Sequence, residues 1–370
     1  IGRDDLRTGA LIVARDGGSP DGAAYVLRRD ALAVHDRVEN DGPLPAEPRL
    51  RTYLGDGALL TALRHVIRDR IPRICFTHGH GEAEHDSLTG SGLSEWSKAL
   101  SAGALQVRAL DVLAPDVTAA GAADAGGAIR RDCDVVVVAG PERPFLPQES
   151  AALAAFLDGG GRALFLLGAL IDRDLTHFLD TGLEAVLRAR GLDPGQAVVL
   201  DPAARVGSTL AFVVEQGYAG HPITAALAGA RTLWPLSRPV GVARSSAAGD
   251  GADATRGRRW QAQPLIWTGE GGILLHDLAA LRAASAQREN PQPLPGAGLP
   301  RGTQTIGAVA QQQDGRGRLV VFGSAQIAWN DSLALYNRDL LVAAVRWLSD
   351  DSAAAAPAGM ALSQMRLVLT

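Results

Sequence analysis

The sequence predicts an α/β protein with a central, mainly parallel sheet and a smaller, mixed C-terminal portion. Three observations predict it. Between residues 71 and 170, short apolar runs alternate with amphipathic helical patterns, which is the pattern of successive βαβ units. Within those runs, at 72–77, 134–141 and 162–168, apolar residues follow one another instead of alternating with polar ones, as in strands covered on both faces. Glycine and proline punctuate them where helices need to start and stop: Pro147 suits a first helical turn, and Gly159-Gly160-Gly161 suits a helix end.

Length and composition narrow the possibilities. A chain of 370 residues is too long for one small core, so two domains with an appendage are expected. Hydrophobic residues make up 46% and charged residues 21%, so the chain folds. The net charge is −4 and Lys98 is the sole lysine; with no basic block, nucleic acid is not an expected partner. Cys75 and Cys133 each fall in or beside a predicted core strand. Two buried thiols are expected, with a disulfide or redox role as the alternative. The longest apolar window, 163–171, is far short of the ~20 residues of a membrane span, and no signal peptide opens the chain. Ile1 at the start and a pattern cut off at 366–370 lead us to expect a segment of something longer.

In chain order, residues 10–15 and 24–28 read as two strands joined by a turn at 16–22, with Val34 and His35 extending the second. Residues 40–48 read as a loop. Leu59, Leu60, Leu63, Val66 and Ile67 recur at helical spacing. Leu93, Trp96 and Leu100 mark a helix face stopped by Gly103, and 105–110 reads as a strand. Residues 115–127, rich in Ala and Gly, read as a surface connection. Leu153, Phe156 and Leu157 form a buried helical stripe. Leu175, Phe178, Leu179, Leu183, Val186 and Leu187 read as an amphipathic helix closed by Gly191, and 197–200 as a strand. Further on, 233–242 and 264–267 read as strands, 245–258 as mobile, and 287–302 as a loop. Residues 306–311 and 318–322 read as a hairpin. Asn337 reads as the cap of a last helix carrying Leu340, Leu341, Ala344, Val345 and Leu348, and 353–359 reads as a linker.

The densest chemistry is Thr77-His78-Gly79-His80-Gly81-Glu82, with Glu84, His85 and Asp86 nearby. Imidazoles and carboxylates at this density can hold a divalent transition metal. The stretch is similar to the metallo-β-lactamase pattern T-H-x-H-x-D-H, but Glu82 and Ala83 stand where Asp and His are needed. The alternative is a glycine-rich turn at a strand's C-terminal end with solvated side chains. An amidotransferase-like hydrolase would need a nucleophile on a sharp strand-to-helix turn; here that strand ends Leu166-Leu167-Gly168-Ala169-Leu170. Gly159-Gly160-Gly161 precedes a strand, not the helix a phosphate loop requires. His177 reads as a helix surface residue, and His276-Asp277 has no identifiable third partner. Trp234, Trp260, Trp267 and Trp329 suit packing, or stacking on sugars.

Taken in order, these blocks resemble the auxiliary subunits of gliding-motility-type ABC transporters, the GldG-like proteins. Residues 74–82 resemble that family's strand followed by T-G-H-G-E, and 132–141 its "aDvlvvaGP". Residues 146–167 resemble its helix and "G-G-r-l-l-v-L", and His221-Pro222-Ile223-Thr224 its H-P-I-T. Residues 318–348 resemble its "r-l-v-v-f-G-d-s-d" through "N-R-D" to "W-L". The family's two aspartates in G-D-S-D fall at Ser324 and Gln326.

The resemblance implies a flavodoxin-like sheet similar to class I glutamine amidotransferase and GIFT domains, without the nucleophile. It divides the chain into an N-terminal remnant with hairpin and linker (1–58), an α/β core (59–205), a mixed C-terminal part (206–350) and a linker toward a membrane anchor outside the chain (351–370). It also implies a non-catalytic, extracytoplasmic or periplasmic component with no cofactor, whose partners are an ABC permease and ATPase. The bottom-up alternatives are a glycan or cell-envelope ligand site at His78, Gly79, His80, Gly81 and Glu82, beyond the strands' C-terminal ends, and a metal-dependent hydrolase using His78 and His80.

Overall fold

The computed structural model describes residues 71–112, 121–174, 176–207, 210–243, 260–286, 298–313, 316–333 and 335–349, residues 59, 62 and 63, and five short strands near the termini. Two compact units result: one comprises Ile1–Pro72, Ser101–Gln106 and Ser352–Thr370, and the other Arg73–Leu100 and Val107–Asp351.

In the first unit, β1 (Leu11–Arg15) and β2 (Ala24–Leu27) pair antiparallel, with Ile12 opposite Val26. The expected turn between them, the loop at 40–48 and most of the helix at 59–67 lie outside the described residues. Val34 and His35 do not extend β2. They belong to β3 (Ala33–Asp36), which pairs antiparallel with β4 (Arg49–Tyr53). The terminal stretch read as a linker contains a strand, Met365–Val368, which pairs antiparallel with β1.

From Arg73 the chain runs β5 (Arg73–Thr77), α1 (Ser94–Ala102), β6 (Gln106–Leu110), α2 (Gly121–Asp132), β7 (Val135–Ala139), α3 (Pro147–Asp158), β8 (Arg162–Leu166) and α4 (Glu184–Arg188). It continues with β9 (Leu192–Pro194), β10 (Val198–Leu200), β11 (Ala211–Val214), β12 (Thr232–Pro235), β13 (Val240–Val242), β14 (Trp260–Trp267), β15 (Ile273–Leu275), α5 (Leu278–Ala286), β16 (Thr305–Gln312), β17 (Arg318–Phe322) and α6 (Asn337–Leu348). A seven-stranded sheet runs β14-β16-β17-β8-β7-β5-β6. The pairs β5–β7, β7–β8 and β8–β17 are parallel, and β17–β16 and β16–β14 are antiparallel. Strands from residues 206–350 thus complete the sheet that residues 59–205 begin.

Every residue of β7 is buried, as an all-apolar central strand requires. Cys75, Val136, Val138, Ala163 and Phe165 face one cluster with Leu153, Phe156 and Leu157 of α3. On β5, Phe76 meets Trp96 of α1 edge to face at 5.2 Å, and α6 packs on β8 and β17.

Five expectations change. Residues 121–127, the described part of the stretch read as a surface connection, belong to helix α2. Gly126 permits this: a Cβ there would lie 2.5 Å from the backbone N of Phe156, so only a bare backbone packs so closely on α3. The helix expected over 175–187 shrinks to α4, because residues 171–178 turn back on themselves. Ile171 bridges Phe178, and the Asp172 carboxylate accepts from the backbone N–H of Thr176 (2.6 Å) and His177 (2.9 Å). Those donors and the Thr176 hydroxyl hold Asp172 down at about 2; Leu175 lies outside the described residues. Residues 233–242 split into β12 and β13, which pair with β11 and β9, around Leu236 at φ +39°.

The two cysteines are not free thiols. They form a disulfide across 58 residues, with Cα atoms 5.7 Å apart, well inside bridging range. The parallel pairing of β5 and β7 brings this about, since it sets the end of α2 beside β5.

Asn337 does not cap the last helix either. It is the helix's first residue, fully buried, with its amide bonded to Leu233 N (2.7 Å), Leu233 O (2.8 Å), Ser332 O (3.1 Å) and Ile327 O (3.3 Å). Asn337→Ala strands those groups and should lower stability by about 1–3 kcal/mol in urea denaturation. A change below ~0.5 kcal/mol would show that the amide is not a cross-link.

Candidate functional site

The chain leaves β5 for β6 on one side and returns to β7 on the other. That reversal opens a crevice beyond the carboxyl ends of β5 and β7, where ligands of open α/β sheets collect. The loop after β5 needs two left-handed residues and has them in Gly79 (φ +113°) and Gly81 (φ +82°). His78, Gly79 and Gly81 are exposed, but His80 and Glu82 are only 7% exposed. The solvated turn expected at 78–82 is therefore half wrong, because this loop is tied down from three sides.

Glu82 accepts from the Thr77 hydroxyl (2.9 Å) and from the His80 backbone N–H (2.7 Å). His80 Nε2 lies 2.9 Å from Glu149 Oε2, which also accepts from the Leu146 backbone N–H at 2.6 Å. The His80 ring stacks on Phe145 with centroids 4.1 Å apart, and its Nδ1 sits 3.7 Å from Glu82 Oε1 without a hydrogen-bond partner. The His80 carbonyl accepts from Glu142 N (2.8 Å) and Arg143 N (2.9 Å), and the Gly79 carbonyl from the Arg143 guanidinium (2.8 Å). The imidazole and both carboxylates therefore join the β5 loop, the β7 loop and the start of α3.

Beside this knot lies a cleft of about 250 Å³, walled by Glu82, Glu84, Ser87, Thr89, Glu142 and Trp329. Asn330, next to Trp329, braces the wall formed by Ser87 and Thr89 from behind its lining. Its amide donates to Ser87 O (3.1 Å), Thr89 O (2.7 Å) and Ser94 Oγ (3.2 Å), and accepts from the Glu95 N–H at the start of α1 (3.0 Å). Ala325 closes the neighbouring strand ends. Its Cβ lies 2.6 Å from where a Cβ would stand on Gly140, after β7, and 3.6 Å from the corresponding point on Gly168, after β8.

Other sequence-selected residues disperse. His85 stacks on Phe76 at 5.8 Å, and among the described residues no three His, Cys, Asp or Glu side chains are grouped to hold a metal. Ser324 is buried, its hydroxyl donating to the Pro235 carbonyl, and Gln326 begins a short 3₁₀ turn. His177 stands exposed in the 171–178 turn, not in a helix. His276 meets the Gln196 carbonyl through Nδ1 (3.0 Å), while Asp277 accepts from Ala279 N (2.8 Å) at the start of α5. Trp234 is fully buried, and Trp260 lies under Arg190 at 5.6 Å.

The sequence reading missed Glu149 and Asn330. Glu149 stands three residues beyond Leu146 at a helix start, a capping-box spacing that could have marked it. Asn330 has no local signal, since its partners lie more than 230 residues away.

No family model matches the chain, and no curated protein matches it. Among solved structures it is similar to the "mmIFT52 N-terminal domain", at 18% identity and a TM-score of 0.51, covering 75% of this chain and 97% of that one. The fold class is α/β. At that identity the likeness carries the mostly parallel mixed sheet and nothing about activity.

Two outcomes follow. Glu149→Ala removes the acceptor of both His80 Nε2 and Leu146 N–H and should destabilise by about 1–3 kcal/mol, with hydrogen exchange rising in the 78–82 loop; unchanged exchange there would refute the three-way tie. His221, of the His-Pro-Ile-Thr stretch, sits against Trp347 (4.9 Å). Burial, then the Arg318 charge, pushes its imidazole down from 6.5 to about 4. The unfolded chain takes up this proton before the folded one does. The stabilisation is therefore complete above pH 6.5 and lost as pH falls toward about 4. Wild-type Tm should drop more than that of His221→Gln across this window; parallel drops would show that the environment of His221 does not discriminate against its charged form.

Proposed function

We propose that this chain is a non-catalytic, extracytoplasmic auxiliary domain of an ABC transporter of the gliding-motility and export type. Its partners are the permease and ATPase subunits, and its membrane tether lies in segments outside the chain. The finer fold we assign is flavodoxin-like, of the class I glutamine amidotransferase kind. The strand order β6-β5-β7-β8-β17 suits that assignment.

One observation carries the non-catalytic reading. The strand ends where such a scaffold can host a nucleophile are occupied by Gly140, Gly168 and the Ala325 methyl, while the imidazole and carboxylates beside them hold loops together. The Cys75–Cys133 disulfide supports the compartment, because such bonds persist in oxidising surroundings. The block-by-block likeness to GldG-like subunits supports the partners.

Full-length protein purified with tag and detergent from native membranes should bring down a polytopic permease and an ATPase in comparable amounts. Recovery without either would overturn the assignment. A saturable turnover abolished by His80→Ala would overturn the non-catalytic reading.

The cleft favours a second reading, a module that binds a glycan of the cell envelope. Trp329 offers an apolar face, and Ser87, Thr89, Glu84 and Glu142 offer hydrogen-bonding groups around it. Envelope oligosaccharides should bind in calorimetry and lose at least about tenfold in affinity, roughly 1.4 kcal/mol, on Trp329→Ala. Absence of binding at millimolar ligand would remove this reading.

A further inference from the structure

The disulfide joins the ends of a long excursion: Cys75 lies within β5, and Cys133 directly follows α2. Helix α2 lies close along α3, but its described side chains give it little apolar surface to bury. Among its described side chains, Ile129 is the one large buried residue, beside Ala125 and Ala128. Gly126 and Gly127 stand in its interior, where glycine favours the unfolded chain. Gly126 cannot be exchanged for a better helix former, since any Cβ would strike the backbone of α3. Arg130 reaches the Ala155 and Phe156 carbonyls only at 3.4 and 3.3 Å. A helix with weak propensity and, among its described side chains, few buried apolar atoms belongs to the less stable part of a fold. Both sulfur-bearing residues nevertheless sit in the same cluster as Ala125, Ala128 and Ile129, at 1% and 2% exposure.

We infer that the Cys75–Cys133 disulfide is a one-way latch for α2. Before oxidation, α2 is loosely held on the sheet; once the bond closes, α2 is docked and covers the sulfurs. Closure needs a disulfide-bearing oxidant. One cysteine thiolate attacks an oxidant sulfur, the oxidant's S–S bond breaks, and a mixed disulfide forms. The second cysteine thiolate then displaces the oxidant, which leaves as a dithiol carrying the two electrons, with the two thiol protons released or taken up by it. The reverse reaction requires attack on a sulfur that docked α2 covers, so the latch resists reduction after it closes. The inference stands whether or not the transporter partners are found.

Hydrogen exchange read by mass spectrometry tests it on three samples of the whole chain. These are the oxidised protein, protein reduced in denaturant and refolded under dithiothreitol, and the Cys75→Ala/Cys133→Ala double variant. Amides of 121–132 should exchange roughly tenfold faster or more in both samples lacking the bond, while β7, β8 and β17 keep their protection. Added dithiothreitol should reduce the native oxidised protein far more slowly than the unfolded chain. Equal protection of α2 in all three samples would overturn the latch. So would loss of protection throughout the sheet, because the bond would then support the whole unit. Reduction of the native protein as fast as of the unfolded chain would overturn its one-way character.

Discussion

The carboxylate of Glu149 serves two donors at once, the backbone N–H that opens α3 and the imidazole of His80. The geometry of the whole crevice depends on that sharing. A helix start always leaves N–H groups without partners, and a buried imidazole needs an acceptor; one side chain meets both needs. Because His80 is thereby fixed, its carbonyl is placed to receive the N–H groups of Glu142 and Arg143, and the loops after β5 and β7 close on each other. Glu82 completes the arrangement from below by tying the loop back to Thr77 at the end of its own strand.

Small residues govern the adjoining ground. Gly140 and Gly168 end two parallel strands, and both lie under the Ala325 methyl. A side chain on Gly140 would strike that methyl or push away the segment bearing it, whereas one on Gly168 would only touch it. The β17 loop can therefore lie low over the sheet, and Trp329 and Asn330, a few residues on, reach the 87–95 segment and raise the cleft wall. The packing that makes the cleft is the packing that keeps glycine after β7 and β8 and alanine over them.

Much of this was legible in the sequence. The buried parallel strands follow from runs such as Val135 to Ala139, because a strand covered on both faces has no reason to alternate. The glycines at 79 and 81 marked a turn needing left-handed backbone, and the position of the His80 loop at a strand's carboxyl end followed from the same pattern. What local pattern could not supply was partnership. His80 and Glu82 looked solvated because Glu149, which explains the burial of His80, lies 67 residues on. Residues 175–187 carry helical spacing, yet Asp172 offers the neighbouring backbone a competing turn. Helix α2 was hidden because alanine and glycine give no amphipathic stripe, and its contact is made by backbone. The cysteines were each recognised as core residues, but pairing is a property of two strands in register and of neither alone.

The place of β17 has a consequence for biosynthesis. It is the last strand of the large sheet to be made, yet it lies in the middle, between β8 and β16. A nascent chain released before residue 318 would carry β8 as a raw edge, apolar from Ala163 to Leu166 and lacking half of its ladder. Such an intermediate invites pairing with other chains, so the ribosome must deliver nearly the whole unit before the sheet can be sealed. Loss of the last few dozen residues of this unit would take out the keystone, not trim the rim.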